Sequence, residues 1–308
     1  MAKNEDKDWL TVPMSHIGAE MIRIAMNRKH SAEQALNAFL DYAVSAFDIQ
    51  KVRDNDTYDK WTKAILQEDE EYNHIVLRWM RDVNKSINNG EFCDFFGQTY
   101  ESTFQGKGKA SSTGQFFTPP SLCILMSEVT NQVDDDEKIV KVSDCCCGSG
   151  RLLLGFLASQ IRIKKNLQRH RYVFEAEDID PTSCKMAALN LMAHCCFGAV
   201  VCHDVLLNDP PHLVYLINEC QVPYPNATMC IRTLKDQEAA DWWLNGGVQK
   251  LPLYYGDEWQ GRYSDEPHTE TAEPPVEKPV EPVEAVQEAE HVESPTKKHG
   301  WVQLTLFD

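Results

Sequence analysis

The sequence predicts an α/β protein: a doubly wound, mostly parallel, Rossmann-like sheet behind a helical N-terminal region, with a disordered C-terminal tail. Three observations predict it. Between Ile139 and Cys202 short β-branched runs alternate with apolar helical stretches, and strands joined through helices must run parallel. Before residue 105 the apolar residues recur at helical spacing. Residues 265–298 hold ten acids against three lysines, with repeated Pro and no Phe, Tyr or Trp. Such a stretch buries too little apolar surface to offset its ordering entropy.

Ser31 with Gln34 forms a capping-box pattern, after which Leu36, Phe39, Leu40, Ala43 and Phe47 mark one helix face. A second amphipathic stretch runs over about 59–88, with Trp61, Ile65, Leu66, Ile75, Leu77 and Met80 apolar. Strands are expected at 139–144, 172–178 and 199–202, and helices at 151–163 and 181–196. Segments 227–232 and 248–255 are candidate late strands. Trp242, Trp243 and Trp259 read as core or lid residues. The expected organisation is a helical region over 1–105, an α/β domain over 106–262, an acidic Pro/Glu linker over 263–299 and a docking peptide over 300–308.

The chain has 308 residues and a net charge of −17. The acidic balance argues against nucleic acid only until the charge is mapped. Arg151, Arg162, Lys164, Lys165, Arg169 and Arg171 form a segment with no acid in it. That segment is either a phosphate-contacting patch or a solvated helix end and loop; Arg162, Lys164, Lys165, Arg169 and Arg171 are the DNA-backbone candidates. No run of about 18 apolar residues exists, so no membrane span is expected. Eleven cysteines without an apolar export segment at Met1–Asp8 point to a reducing cytoplasm. The consecutive Cys145, Cys146 and Cys147 read as small buried residues, because adjacent side chains cannot all face one ion; no metal site is expected.

Asp144–Gly150 (DCCCGSG) falls between a strand and a helix. Gly148 and Gly150 there let the chain turn sharply and approach a ligand. Neither a dinucleotide fingerprint nor a P-loop is present. The next strand ends in acids at Glu175, Glu177, Asp178 and Asp180, and a carboxylate at that place accepts ribose hydroxyls. Turn and acid together point to an adenosine-bearing cofactor.

Five blocks, taken together, resemble the adenine-N6 DNA methyltransferases, in particular the modification subunit of type I restriction systems. They are Asp94–Glu101 (DFFGQTYE), Gly114–Pro120 (GQFFTPP), Asp144–Gly150, Asp178–Pro181 (DIDP) and Asn190-Leu191, and they span about residues 90–212. The resemblance makes 106–262 a truncated methyltransferase-like domain using S-adenosylmethionine. It implies cofactor contacts at Phe117, Thr118 and Pro119, with Asp144, Gly148 and Gly150 around the amino-acid moiety, Asp178 at the ribose and Asp204 at the adenine. A lid block ahead of the Gly turn also looks like the class whose target-recognition region is C-terminal or on a separate specificity subunit.

The family's Asn/Asp-Pro-Pro-aromatic loop follows its fourth strand. Adenine's exocyclic nitrogen is a poor nucleophile, because its lone pair is delocalised into the ring. A side-chain oxygen and a carbonyl accept its two N–H bonds and draw it toward sp³ geometry, while an aromatic side chain stacks on the flipped base. Here Asp209, Pro210, Pro211 and His212 fill that pattern, with Asp209 and Pro210 on the amine and His212 on the base. His departs from the usual aromatic residue, and Asp204 stands too close for an intervening strand. The segment is either that loop after a deletion or an ordinary Pro-Pro turn. The resemblance leads to methyl transfer to adenine N6 in DNA, of a restriction-modification or mobile-element kind. The alternatives are a catalytically degenerate accessory or decoy protein and a protein glutamine methyltransferase.

The last residues, Gln303, Leu304, Thr305, Leu306 and Phe307, resemble the peptide that bacterial polymerases insert into the sliding clamp. Gln303 would be the polar anchor, and Leu304, Leu306 and Phe307 the apolar contacts. The other reading is an edge strand folded back on the body.

Overall fold

The structure is a computed structural model describing residues 14–32, 34–55, 58–89, 91–104, 118–130, 140–164, 172–207, 209–219 and 229–251. Five strands form one sheet in sequential order: β1 Val140–Asp144, β2 Tyr172–Asp178, β3 Phe197–Cys202, β4 Leu213–Ile217 and β5 Ile231–Lys235. The first three run parallel, with Val142 beside Phe174 and Phe174 beside Gly198. β4 runs against β3, and β5 against β4, so four of the five strands point the same way. The mostly parallel α/β sheet stands as expected.

β2 and β3 are central, and both are buried along almost their whole length. β1 alternates half-buried Val140 and Val142 with exposed Lys141 and Ser143, the pattern of a sheet edge. Among the described residues no strand pairs with its outer side. β4 was not anticipated, and β5 begins beyond most of 227–232. Of the expected strand 248–255, residues 248–250 lie in a 3₁₀ turn, Gly247–Lys250, and 252–255 lie outside the described residues. Gly246 (φ 106°) and Gly247 (φ 51°) curl the chain there, which a strand cannot do.

Helices cover both faces. On one side α8 (Arg151–Lys164) links β1 to β2, and α9 (Pro181–Ala193) links β2 to β3. Leu153, Leu154, Met186, Leu189 and Leu191 pack there with Phe174, Ala176, Val200 and Tyr215. On the other side α10 (Asp236–Leu244) and the 3₁₀ turn cover Val173, Ala199, Val201, Val214 and Leu216, with Trp242 and Trp243 half-buried against them. α7 (Pro120–Thr130) lies along α8, and a side-chain carbon at Gly155 would meet Cys123 at 2.9 Å.

The N-terminal part is helical: α1 Met14–Asn27, α2 Ala35–Ala46, α3 Ile49–Asp54, α4 Tyr58–Glu68, α5 Glu70–Asn88 and α6 Phe95–Thr99, continued by a π-helical turn Tyr100–Phe104. The capping box forms, since Gln34 N donates to Ser31 Oγ and Ser31 N to Gln34 Oε1. The stretch expected over 59–88 is two helices. Asp69 breaks it by accepting from Tyr72 N at 3.1 Å as the N-cap of α5. Trp61, Trp79, Phe95 and Phe96 continue the same core cluster that lies under the sheet. Polar links reinforce the seam. Thr182 Oγ1 donates to Asn37 Oδ1 at 3.1 Å, Lys185 pairs with Asp41 at 2.6 Å, and Ile231 N donates to Phe47 O at 2.8 Å. His194 Nε2 accepts from Cys93 N at 3.1 Å while Nδ1 faces Asn190 O at 2.7 Å. That arrangement fixes the neutral ring, and burial pushes its pKa down to about 4.

Candidate cofactor site at the carboxyl end of the sheet

Because β1, β2 and β3 are parallel, their last residues Asp144, Asp178 and Cys202 lie along one edge, where open α/β sheets bind ligands. The chain after β1 turns back through hydrogen bonds from Cys147 N to Glu177 O (2.9 Å) and from Gly150 N to Cys147 O (2.8 Å). Gly148 (φ 54°) and Gly150 (φ 82°) take left-handed conformations. A side-chain carbon at Gly150 would sit 3.5 Å from Ala187 of α9, an ordinary contact, so it is the left-handed backbone that calls for glycine there.

Asp178 braces this turn. Its Oδ2 accepts from Gly148 N and its Oδ1 from Asp180 N, each at 2.9 Å. Asp180 in turn caps α9, accepting from Thr182 N and Ser183 N. Asp144 differs. Its Oδ1 accepts from Cys146 N at 3.1 Å, but its Oδ2 is buried with no hydrogen-bond partner. Desolvation raises the Asp144 pKa, and the charges of Asp178 and Glu177 add to the rise. An unmet buried acceptor costs about 1–3 kcal/mol, so the site favours a cationic donor.

The turn rests on a buried polar hub. Asp94 is wholly buried; Oδ1 accepts from Gly97 N (2.9 Å) and Asn190 Nδ2 (2.7 Å), and Oδ2 from Ser149 Oγ (2.8 Å) and Arg151 Nε (2.6 Å). The same guanidinium reaches Thr118 O at 3.0 Å and Glu101 at 2.8 Å. Arg151, grouped above with a phosphate-contacting patch, is therefore a buried partner of Asp94 and joins Thr118 to the Gly turn. The sequence hid this pair because Arg151, which follows Gly150, and Asp94, which opens the first block, stand 57 positions apart.

At the end of β3 the arrangement is looser. Asp204 is half-buried and accepts from Leu206 N at 2.9 Å. Asp209, Pro210 and His212 are exposed and Pro211 is buried. The loop is pinned by His203, whose Nδ1 faces Asp209 O at 3.1 Å and whose Nε2 faces Glu177 Oε2 at 2.7 Å; its ring lies 4.9 Å from Trp243. His212 O accepts from Asp236 N at 2.8 Å. The segment joins β3 directly to the antiparallel β4 and follows no fourth strand. Two strand spacings, ~10 Å, separate the end of β3 from that of β1. Sequence reasoning missed Glu177–His203, whose residues are far apart in the chain.

Thr118 and Pro119 stand at the start of α7, where Pro119 O accepts from Leu122 N and Cys123 N. Phe117, Lys165, Arg169, Arg171, Gln303, Leu304, Leu306 and Phe307 lie outside the described residues, as do the side chains of Arg162 and Lys164, the 263–299 linker and Trp259. The cysteine expectation is corrected: Cys147 is buried, but Cys145 and Cys146 are exposed, because they project from the turn beyond the last paired residue of β1. Among the described residues no group of three His, Cys, Asp or Glu side chains is placed to hold a metal ion, and no helix is long and apolar enough to cross a membrane.

Residues 91–212 match the family model of the N-6 DNA methylases. No curated protein matches the chain. Two solved structures are similar. One is a Listeria monocytogenes protein described as a class I S-adenosylmethionine-dependent methyltransferase, with 13% identity over 65% of this chain and 56% of that one and a TM-score of 0.39. The other is the methyltransferase subunit of a type I restriction-modification system from Streptococcus thermophilus, with 15% identity over 64% and 53% and a TM-score of 0.27. The chain thus spans just over half of either protein. At those scores the fold rests on the strand order and register described above. S-adenosylmethionine, the cofactor implied by the resemblance, fits the residues present: an ammonium donor for Asp144 Oδ2, and free lone pairs on Asp178 for a ribose.

Proposed function

We propose that the chain binds S-adenosylmethionine at the ends of β1 and β2 and transfers its methyl group to adenine N6 in DNA. The observation that carries the proposal is the unpartnered buried Asp144 Oδ2 beside two left-handed glycines, within the segment that matches the N-6 DNA methylases. The cofactor supplies an electrophilic methyl on a sulfonium. The chain's own residues do the rest. Asp144 takes the ammonium, Asp178 the ribose hydroxyls, and Asp204 lies toward the adenine. Asp209 and the Pro210 carbonyl accept the two N–H bonds of the target amine, and His212 stacks on the flipped base. Tritiated-methyl transfer to unmethylated DNA tests this; transfer that survives Asp209→Ala removes Asp209 from the reaction.

One observation favours a second reading. With its amino-acid end at Asp144 and its ribose at Asp178, the cofactor would carry its sulfonium nearest β1 and β2, whereas Asp209–His212 follows β3. A chain that binds the cofactor without transferring methyl, working as an accessory or decoy on DNA, satisfies that layout. It predicts full cofactor affinity with no tritium in DNA. The proposal also includes docking of Gln303–Phe307 on a sliding clamp, tested by a clamp pull-down with Leu306→Ala plus Phe307→Ala, and a separate specificity subunit.

A further inference from the structure

Glu177 and His203 are buried at the carboxyl end of the sheet, yet neither has a part in the reaction proposed above. β2 lies between β1 and β3, so its last residues can reach the loops after both. Glu177 does so with two different groups. Its backbone oxygen accepts from Cys147 N in the Gly turn at 2.9 Å, and its Oε2 lies 2.7 Å from His203 Nε2. The other ring nitrogen, Nδ1, faces Asp209 O at 3.1 Å. A carbonyl only accepts, so Nδ1 carries a proton and donates it to Asp209 O. The bond at Nε2 fixes the orientation of the ring. Whichever of Nε2 and Oε2 holds the proton between them, Nδ1–H stays aimed at the loop. His203 N also donates to Asp178 O at 3.1 Å, which anchors its backbone to β2.

We propose that Glu177 and His203 are positioning residues for the transfer: they hold the Asp209 end of the acceptor loop in register with the Gly turn. The path runs from Cys147 N through Glu177 and His203 to the Asp209 carbonyl. The far end of the loop has its own anchor, Asp236 N to His212 O, so loss of the His203 donor frees Asp209 without detaching the whole segment. Asp209 and Pro210 act on the target amine by geometry alone, and a displacement of about 1 Å costs about 100-fold in rate. That consequence for the rate rests on the methyl-transfer reading; the tether does not.

Two amides separate the tether from mere packing. The asparagine amide nitrogen lies as many bonds from the backbone as Nδ1, and the glutamine one as many as Nε2. His203→Asn therefore keeps the donor to Asp209 O and strands Glu177, whereas His203→Gln keeps a partner for Glu177 and gives up the loop. A stranded buried carboxylate is the costlier loss, so His203→Gln should melt higher than His203→Asn. Deuterium exchange of the full-length chain, read on peptides covering 204–212, should nevertheless rise in His203→Gln and stay at the wild-type level in His203→Asn. With DNA, kcat should fall about 100-fold in His203→Gln and less than about fivefold in His203→Asn, with the KM for S-adenosylmethionine unchanged in both. Glu177→Gln, whose amide donates to Nε2 and leaves Nδ1–H on the loop, should match His203→Asn in exchange and rate. Exchange and rate that follow melting temperature overturn the proposal, as does equal exchange in His203→Gln and the wild type. Wild-type protein that transfers no methyl fails the methyl-transfer reading, while exchange in His203→Gln and Glu177→Gln still decides the tether.

Discussion

The carboxyl ends of β1 and β3 both pair an acid with a turn, yet they are built to different standards. At β1 the polar groups are densely tied together. Asp178 holds Gly148 and Asp180, Asp94 holds Ser149 and Arg151, and two buried side-chain oxygens, Asp144 Oδ2 and Asn190 Oδ1, have no hydrogen-bond partner. At β3 the acids Asp204 and Asp209 reach solvent, and the loop is held by His203 and by the bond from Asp236 N to His212 O. A tightly bonded surround with an unmet carboxylate oxygen suits a small ligand, and an exposed loop leaves its side chains open to a larger one. In the function proposed above, the first region takes the cofactor and the second faces the DNA.

The largest effect should come from the hub. Arg151→Met leaves the Asp94 carboxylate buried and unpaired, at a cost of about 3–5 kcal/mol, whereas Asp209→Ala, on an exposed loop, should stay within about 0.5 kcal/mol. Denaturant titration of both variants checks the contrast; equal losses would erase it.

The next effect is on binding. Asp144→Ala removes a charged hydrogen bond worth about 1.5–3 kcal/mol, so cofactor affinity should fall about 10- to 100-fold. Asp144→Asn sharpens the point. Burial raises the Asp144 pKa, so the folded chain holds its proton to higher pH than the unfolded chain. The resulting penalty grows as pH rises through the ordinary carboxylate range and is fully present at neutral pH. The amide removes it. Thermal melts at pH 7 should therefore show Asp144→Asn more stable than the wild type without ligand, yet less stabilised by added S-adenosylmethionine. A variant that loses stability would make Asp144 a structural residue.

Acid should act through the seam between helices and sheet. His194 titrates near 4 in the fold against 6.5 ordinarily, so between those values the unfolded chain takes up a proton that the folded chain refuses. Stability is lost as pH falls from 6.5 toward 4. His194→Gln should flatten that part of a stability-against-pH curve. The smallest effect is local: Asp180→Ala removes the cap of α9 and should cost about 1 kcal/mol, seen as a lower melting temperature.

The legible parts of the chain were those whose cause is local. Periodicity marked β2 and α8, Ser31 and Gln34 made their predicted bonds, and the Gly turn declared itself by its place between strand and helix. β4 was not legible, because Leu213–Ile217 is a short apolar run without alternation, placed straight after Pro-Pro. A covered strand and a helix segment look alike in that form. Asp69 broke one amphipathic stretch into two helices through a single side chain that periodicity does not weigh. Arg151 misled for another reason. Its charge counts the same in the sequence whether it faces phosphate or Asp94, and only the fold brings Asp94 beside it. The exposure of Cys145 and Cys146 likewise depends on where the strand stops pairing, by one residue.

The most direct test is calorimetric titration of S-adenosylmethionine into the wild-type, Asp144→Ala and Asp209→Ala proteins. One site per chain is predicted, crippled by the change at β1 and untouched by the change after β3. No heat with the wild type, or an affinity indifferent to Asp144, would contradict a cofactor at the end of the first strand.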